Sequence, residues 1–109
     1  MTKSDIKFTI GLDDNKHPET IHWQAQDSGM DGIKEAKAMM ISLWDKKDAS
    51  TLRIDLWTKE MMVEEMQHFY YEMLMSMADT YQNATNDGDN ANELRAFAKK
   101  YGHRVNVLK

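Results

Sequence analysis

No cysteine occurs in the chain, so disulfides and thiolate metal sites are excluded. Positive charge is in deficit: 14 Lys and Arg stand against 18 Asp and Glu, a net charge of −4. Nonspecific nucleic-acid binding needs the opposite balance, because it rests on neutralising phosphates. No continuous apolar run opens the chain, where "MTKSDIKFTIGLDD" alternates apolar and polar residues. That pattern fits neither a signal peptide nor a membrane span. A Gly-rich phosphate loop is absent, and no Ser or Thr sits in a nucleophile motif. The sequon Asn83-Ala84-Thr85 is read as incidental, since nothing routes the chain through a glycosylating compartment. The expectation is a soluble, cytoplasmic protein with no cofactor, whose 109 residues form one compact domain over 1–109.

Proline is nearly as scarce as cysteine. The single Pro18 falls in the turn-rich "DDNKHPE" between two alternating stretches. Ile6, Phe8, Ile10 and Leu12 form the first stretch; Ile21, Trp23 and Ala25 form the second. Period two marks half-buried strands, here a hairpin with a long loop. From Asp31 the period changes. Ile33, Ala36, Met40, Leu43 and Trp44 share one face of a helix, with Asp31 or Ser28 as cap and Lys46 and Lys47 at the carbonyl end. Leu52, Ile54 and Leu56 alternate again as a third strand. Thr58 is the expected cap of a long helix running from Lys59 to about Thr85, free of Gly and Pro. Asp89 starts a last helix carrying Leu94, Phe97, Ala98 and Tyr101, which Gly102 can stop. Val105–Leu108 fits helix or strand and is read as helix. The order is β-β-α-β-α-α, and the class is α+β: a small, mainly antiparallel three-stranded sheet covered on one face by helices. If the second and third strands share that sheet, the first helix is a right-handed crossover that lets them run parallel. Ile6, Phe8, Ile10, Leu12, Leu52, Ile54 and Leu56 then point to the helices.

Three motifs invite chemistry and fall short. Glu65-x-x-His68 has di-iron spacing, but a second Glu-x-x-His and two further glutamates are missing, so no metal is expected. Counting back from Gly88, a calcium loop would place Asn83, Thr85 and Asp87 as ligands, but its bidentate glutamate position is Leu94. "GMDG" at Gly29–Gly32 matches an RNA-clamping Gly-x-x-Gly loop, yet Asp31 would repel phosphate. The near-repeat "ISLWDKK" and "IDLWTKE" is read as coincidence, with Trp44 and Trp57 as buried anchors at element ends.

The unusual feature is the long helix. Met62, Met66, Phe69, Tyr70, Met73, Leu74, Met77 and Tyr81 fill one arc, with Val63 at its edge, the stripe expected to cover the sheet. Met61, Tyr71 and Met75 lie on the opposite side. They are the candidate protein interface, unless the last helix covers them.

The residues "LWDKK" and "TLRIDLWTKEMMVEEM", followed by "MSMADTYQNAT", resemble GldC, a family of small gliding-motility-associated proteins. The opening "SDIKFTIGLDDNKHPETIHWQAQDSG" is similar to that family's start, and the resemblance runs over essentially the whole chain. It implies an accessory, non-catalytic component of the gliding apparatus, with another motility component or a second copy as partner. The rival reading is a small-molecule-binding or enzymatic domain with a pocket near Trp23, Trp57, His22 and Asp55. A convergent cavity favours the rival; an apolar patch on a closed surface favours the interaction module.

Overall fold

Alternating apolar residues shape the first half of the protein into strands. The computed structural model describes residues 1–26 and 32–109. Its elements are β1 (Ile6–Leu12), β2 (Pro18–Ala25), β3 (Lys34–Ala36), β4 (Ala38–Trp44), β5 (Thr51–Trp57), α1 (Val63–Thr85) and α2 (Gly88–Arg104). They form two compact units, Met1–Met61 and Met62–Lys109.

In the first unit, β1, β2 and β3 form an antiparallel sheet in that order, and β4 pairs antiparallel with β5 in a second. The β1–β2 turn is built by one carboxylate: Asp13 Oδ1 accepts from the Asn15 and His17 N–H groups, each at 2.9 Å. The His17 bond holds the Asp13 carboxyl below its ordinary pKa. The ladder sorts side chains by parity. Phe8 opposes Trp23, Ile10 opposes Ile21, and Ile21 opposes Ala36, giving an apolar face; Thr9, His22 and Glu35 occupy the other. In the second sheet Met39, Ile41 and Leu43 oppose Leu56, Ile54 and Leu52, an all-aliphatic face. The reverse face carries Ser42, Arg53 and Asp55. There the Arg53 guanidinium grips Asp55 through both carboxylate oxygens, at 3.1 and 2.8 Å, and donates to the Ser42 hydroxyl. The β4–β5 turn again rests on an aspartate, Asp45, whose Oδ2 accepts from Lys47 and Asp48 N–H.

The α+β class and the antiparallel sheet agree with the sequence reading, but one element changes identity. The helix expected from Asp31 to Lys47 is strand over Lys34–Ala36 and Ala38–Trp44. Ala, Lys and Met favour helix locally, yet β5 offers β4 seven cross-strand partners, and tertiary pairing overrides weak propensity. Among the described residues there is no crossover and every pairing is antiparallel. The β-strand apolar residues divide between two sheets, and Ile6, Phe8, Leu12, Leu52 and Ile54 are exposed rather than buried. Thr58 does not cap the long helix, which starts at Val63 after Met62. The Met62 N–H donates to Glu65 Oε1 at 3.0 Å instead. Val105–Leu108 is neither helix nor strand but the close of α2. Asn106 turns left-handed (φ 65°), its N–H reaches the His103 carbonyl at 3.2 Å, and the Val107 N–H reaches that of Gly102 at 2.8 Å. The proposed caps Ser28 and Asp31 lie outside the described residues, as do Gly29–Asp31 of the Gly-x-x-Gly match.

In the second unit α1 and α2 form a hairpin. Asn86, in the left-handed region, ends α1, and Asp87 caps α2 by accepting from the Asn90 N–H at 3.1 Å. The seam is made of small residues. Ala78 of α1 and Ala91, Ala98 and Gly102 of α2 are buried. Arg95 spans the helices to Asp79 Oδ1 and Gln82 Oε1, both at 2.7 Å.

Two predictions follow from this packing. A Cβ on Gly102 would stand 2.8 Å from Tyr71 Cδ1 and 3.1 Å from Leu108 Cδ1. Overpacking costs about 1–3 kcal/mol, against about 1 kcal/mol gained in helix propensity. Gly102→Ala should therefore lower the melting temperature, whereas Gly88→Ala, whose Cβ would meet Gln82 Nε2 at 3.6 Å, should not. Equal melting temperatures would refute the tight seam. The second concerns pH. The Tyr81 hydroxyl donates to Asp87 Oδ2 at 2.8 Å. That bond raises the phenol above its ordinary 10.0, and the Asn90 side chain, with Tyr81 and the backbone, lowers the Asp87 carboxyl below 3.8. The Tyr81 contribution is present below pH 10.0 and is lost as pH rises through the raised phenol value. The Asp87 contribution is present above pH 3.8 and is lost as pH falls through the depressed value. Melts of Tyr81→Phe by circular dichroism should lack the alkaline limb and keep the acid limb; an unchanged alkaline limb would remove this pair from the account.

Candidate interaction surfaces

The polar candidates do not converge. His22 and Trp23 are adjacent on β2, so their side chains leave opposite faces of the sheet. They border one depression of about 330 Å³, with Lys7 and Thr9. Asp55 and Trp57 border another, of about 420 Å³, with His17, Pro18 and Lys59. The four residues of the rival reading thus lie at two separate depressions. On α1, His68 Nε2 pairs with Glu72 at 3.0 Å, while Glu65 closes the helix start at Met62. Among the described residues no three His, Asp or Glu side chains converge as metal donors. No helix there is long and apolar enough to cross a membrane.

The apolar candidates divide differently from the sequence expectation. Tyr71 is half-buried with its ring against Gly102, so it sits in the seam with α2. Met75, also half-buried, lies between Tyr71 and Ala78 on the same line of the helix. Met61 is half-buried in the first unit, and its N–H donates to the Thr58 carbonyl at 3.1 Å.

The stripe the sequence assigned to the core is exposed at Met62, Val63, Tyr70 and Met77 and half-buried at Met66, Phe69, Met73, Leu74 and Tyr81. Val63, Tyr70 and Met77 recur every seven residues along α1, and Val63 is 69% exposed. On α2, Leu94 and Phe97 are exposed, the latter by 60%. Two right-handed antiparallel helices meeting through Ala78, Ala91, Ala98 and Gly102 turn these two sets to the same broad side of the hairpin. The first unit has its own apolar hollow of about 390 Å³. It runs from Ile6, Phe8, Ile21 and Trp23 onto Met39 and Ile41.

Trp44 and Trp57 are not buried anchors. They end β4 and β5 on the face shared with Ser42, Arg53 and Asp55, at opposite ends, and are 70% and 58% exposed. Parity explains it: each is an even number of residues from the polar positions of its own strand. Trp44→Ala should consequently cost about 1 kcal/mol or less, nearer to a surface change than to the roughly 3–5 kcal/mol of a core aromatic. Chemical denaturation decides it; a loss in the core range would mean that the ring is covered in solution.

Comparison with curated proteins and with solved structures gives no match. The family described as gliding motility-associated protein GldC-like matches residues 18–107, which takes in every element from β2 to α2 and the turn that closes it. The chain belongs to the GldC-like family of gliding motility-associated proteins.

Proposed function

We propose that this protein is a non-catalytic accessory of the gliding apparatus that works by binding protein, and that the broad apolar side of the α1–α2 hairpin is a contact surface. One observation carries the reading. Among the described residues the apolar side chains fully withdrawn from solvent are Ile21, Ala78, Ala91 and Ala98, so Ile21 is the large one. A chain of this length ordinarily hides roughly two-thirds of its unfolded surface. Ordered helices with Val63, Tyr70, Met77, Leu94 and Phe97 in water carry the apolar surface that a partner covers. Met and Tyr suit such a contact, since both are enriched at interface cores and Met adapts its shape. The partner inferred from the family is another component of the motility machinery.

Two double variants in the native gliding cell test this reading. Tyr70→Glu/Met77→Glu should keep the melting temperature of the purified protein, abolish co-purification with gliding components and impair movement. Tyr71→Glu/Met75→Glu should unfold the hairpin, because Tyr71 lies in the seam. If the first variant binds and glides normally, the broad side is not the surface. If the second stays folded and alone loses binding, the interface belongs to Met61, Tyr71 and Met75.

A further inference from the structure

We propose that β5 pairs edge to edge with β5 of a second copy, antiparallel, about a two-fold axis at Ile54. This rests on the reading that the protein acts through protein contacts and names one such contact. The second sheet has only two strands, β4 and β5, and no strand lies outside β5 among the described residues. Two-stranded ribbons are marginal in water, and three or more strands with an apolar face are needed for stability. The other outer strands are β1, whose register shifts at Gly11/Leu12 in a bulge of the kind that blunts edges, β3, only three residues long, and β4, which carries no charge to select a register. β5 pairs with β4 over all seven residues without a shift, so its outer side is straight.

Backbone phase and charge select one register. The Thr58 N–H donates to the Lys37 carbonyl at 2.8 Å, and the Asp45 N–H donates to the Ser50 carbonyl at 2.8 Å. The even-numbered residues of β5 therefore aim their backbone groups at β4. Thr51, Arg53, Asp55 and Trp57 aim theirs at the outer side. A second β5 must bring its own odd-numbered residues opposite these. Centring the pair on Arg53 or Asp55 would set that charge against itself, which destabilises a ladder. Centring on Ile54 sets Arg53 of each copy opposite Asp55 of the other, and Leu52 opposite Leu56. The sequence "LRIDL" is complementary to itself about its middle residue. The result is a four-stranded sheet with one continuous aliphatic face and, on the other, two crossed Arg–Asp pairs beside the contacts Arg53 and Asp55 make within each chain.

The absence of cysteine supplies a direct test. Opposed residues at a non-hydrogen-bonded antiparallel position have Cα atoms about 4.5 Å apart, within disulfide range. Ile54→Cys should give a covalent dimer under mild oxidation of the full chain. Leu52→Cys, which would oppose Leu56, should not. Charge variants provide a second arm read by analytical ultracentrifugation. Arg53→Asp and Asp55→Arg should each weaken self-association about tenfold or more. Mixed one to one, they should associate again, because each altered position then faces its complement only across chains. A wild-type protein that stays monomeric at high concentration overturns the proposal. So does equal cross-linking through positions 52 and 54, or a mixture no more associated than its components. These measurements use the purified chain alone, so their failure leaves the contact of the helical hairpin with gliding components to be judged by its own experiment.

Discussion

The carbonyl of Lys37 is the point on which the first unit depends. It lies where the chain stops pairing with β2 and starts pairing with β5. Thr58 holds it twice, through its N–H at 2.8 Å and its hydroxyl at 3.1 Å, and Thr58 is itself only 3% exposed. One oxygen thereby accepts both donors of a buried threonine, groups that would be costly to leave unpaired. The clamp also fixes parity. Before Lys37 the apolar position is even-numbered, Ala36, on the face of Ile21. After it the aliphatic positions are odd-numbered, Met39, Ile41 and Leu43. A slip of one residue would exchange that row with Met40, Ser42 and Trp44 and put the Arg53–Asp55 pair against aliphatic neighbours. The Lys59–Asp13 contact at 3.4 Å ties the segment after β5 to the β1–β2 turn, on the side where His17 and Trp57 border their depression.

The second unit solves its packing in a way that leaves surface behind. Alanine and glycine in the seam let two helices approach closely, and close approach with small residues buries little area. A third layer is required before Val63, Tyr70, Met77, Leu94 and Phe97 leave water. Gly102 shows the trade most plainly. It gives up helix propensity to admit the Tyr71 ring, and the Leu108 side chain at the end of the chain closes over the same spot. The ring that fills this space is unavailable to a partner, which is why the neighbouring Tyr70 is the exposed one.

Much of this was legible in sequence. The first hairpin, β5, the Gly- and Pro-free helix to Thr85 and the break before the last helix follow from period and breakers; the caps do not, since Thr58 and Asp89 were expected where Met62 and Asp87 stand. The strand from Lys34 to Trp44 was not, because "KEAKAMM" is built of good helix formers and its apolar residues happen to fit one helical face. The contrary signals were local: Met39, Ile41 and Leu43 alternate with Met40 and Ser42, and "DKKDAS" carries an aspartate able to wrap a turn. Its lysines read equally well as a helix terminus. The exposure of part of the large-residue stripe was missed for a different reason. Side-chain size ranks Tyr70 and Met77 above Ala78, so the large stripe was taken for the core. The seam instead follows the small residues, whose value is geometric and is not measured by transfer energies.

The two copies of Ile-x-Leu-Trp-x-Lys now read as one structural phrase. Ile41 and Ile54 are cross-strand partners in the aliphatic row, and each tryptophan closes its strand on the opposite face. The phrase is what a two-stranded ribbon needs: alternation inside, a large aromatic at each end, charge on the reverse. A ribbon so short is stable only with a neighbour, and a helical hairpin seamed by alanines is in the same position. Joining two chains through β5 would answer the first need and leave the second open, because the pairing is made by the strand unit alone. Each chain of such a dimer would bring its own helical hairpin. A partner that presents its own binding segment more than once would then meet both, and the second contact would form at high effective concentration, without any new surface. Weak individual contacts between adaptable Met- and Tyr-rich helices would suffice for a lasting association, and each could still exchange separately.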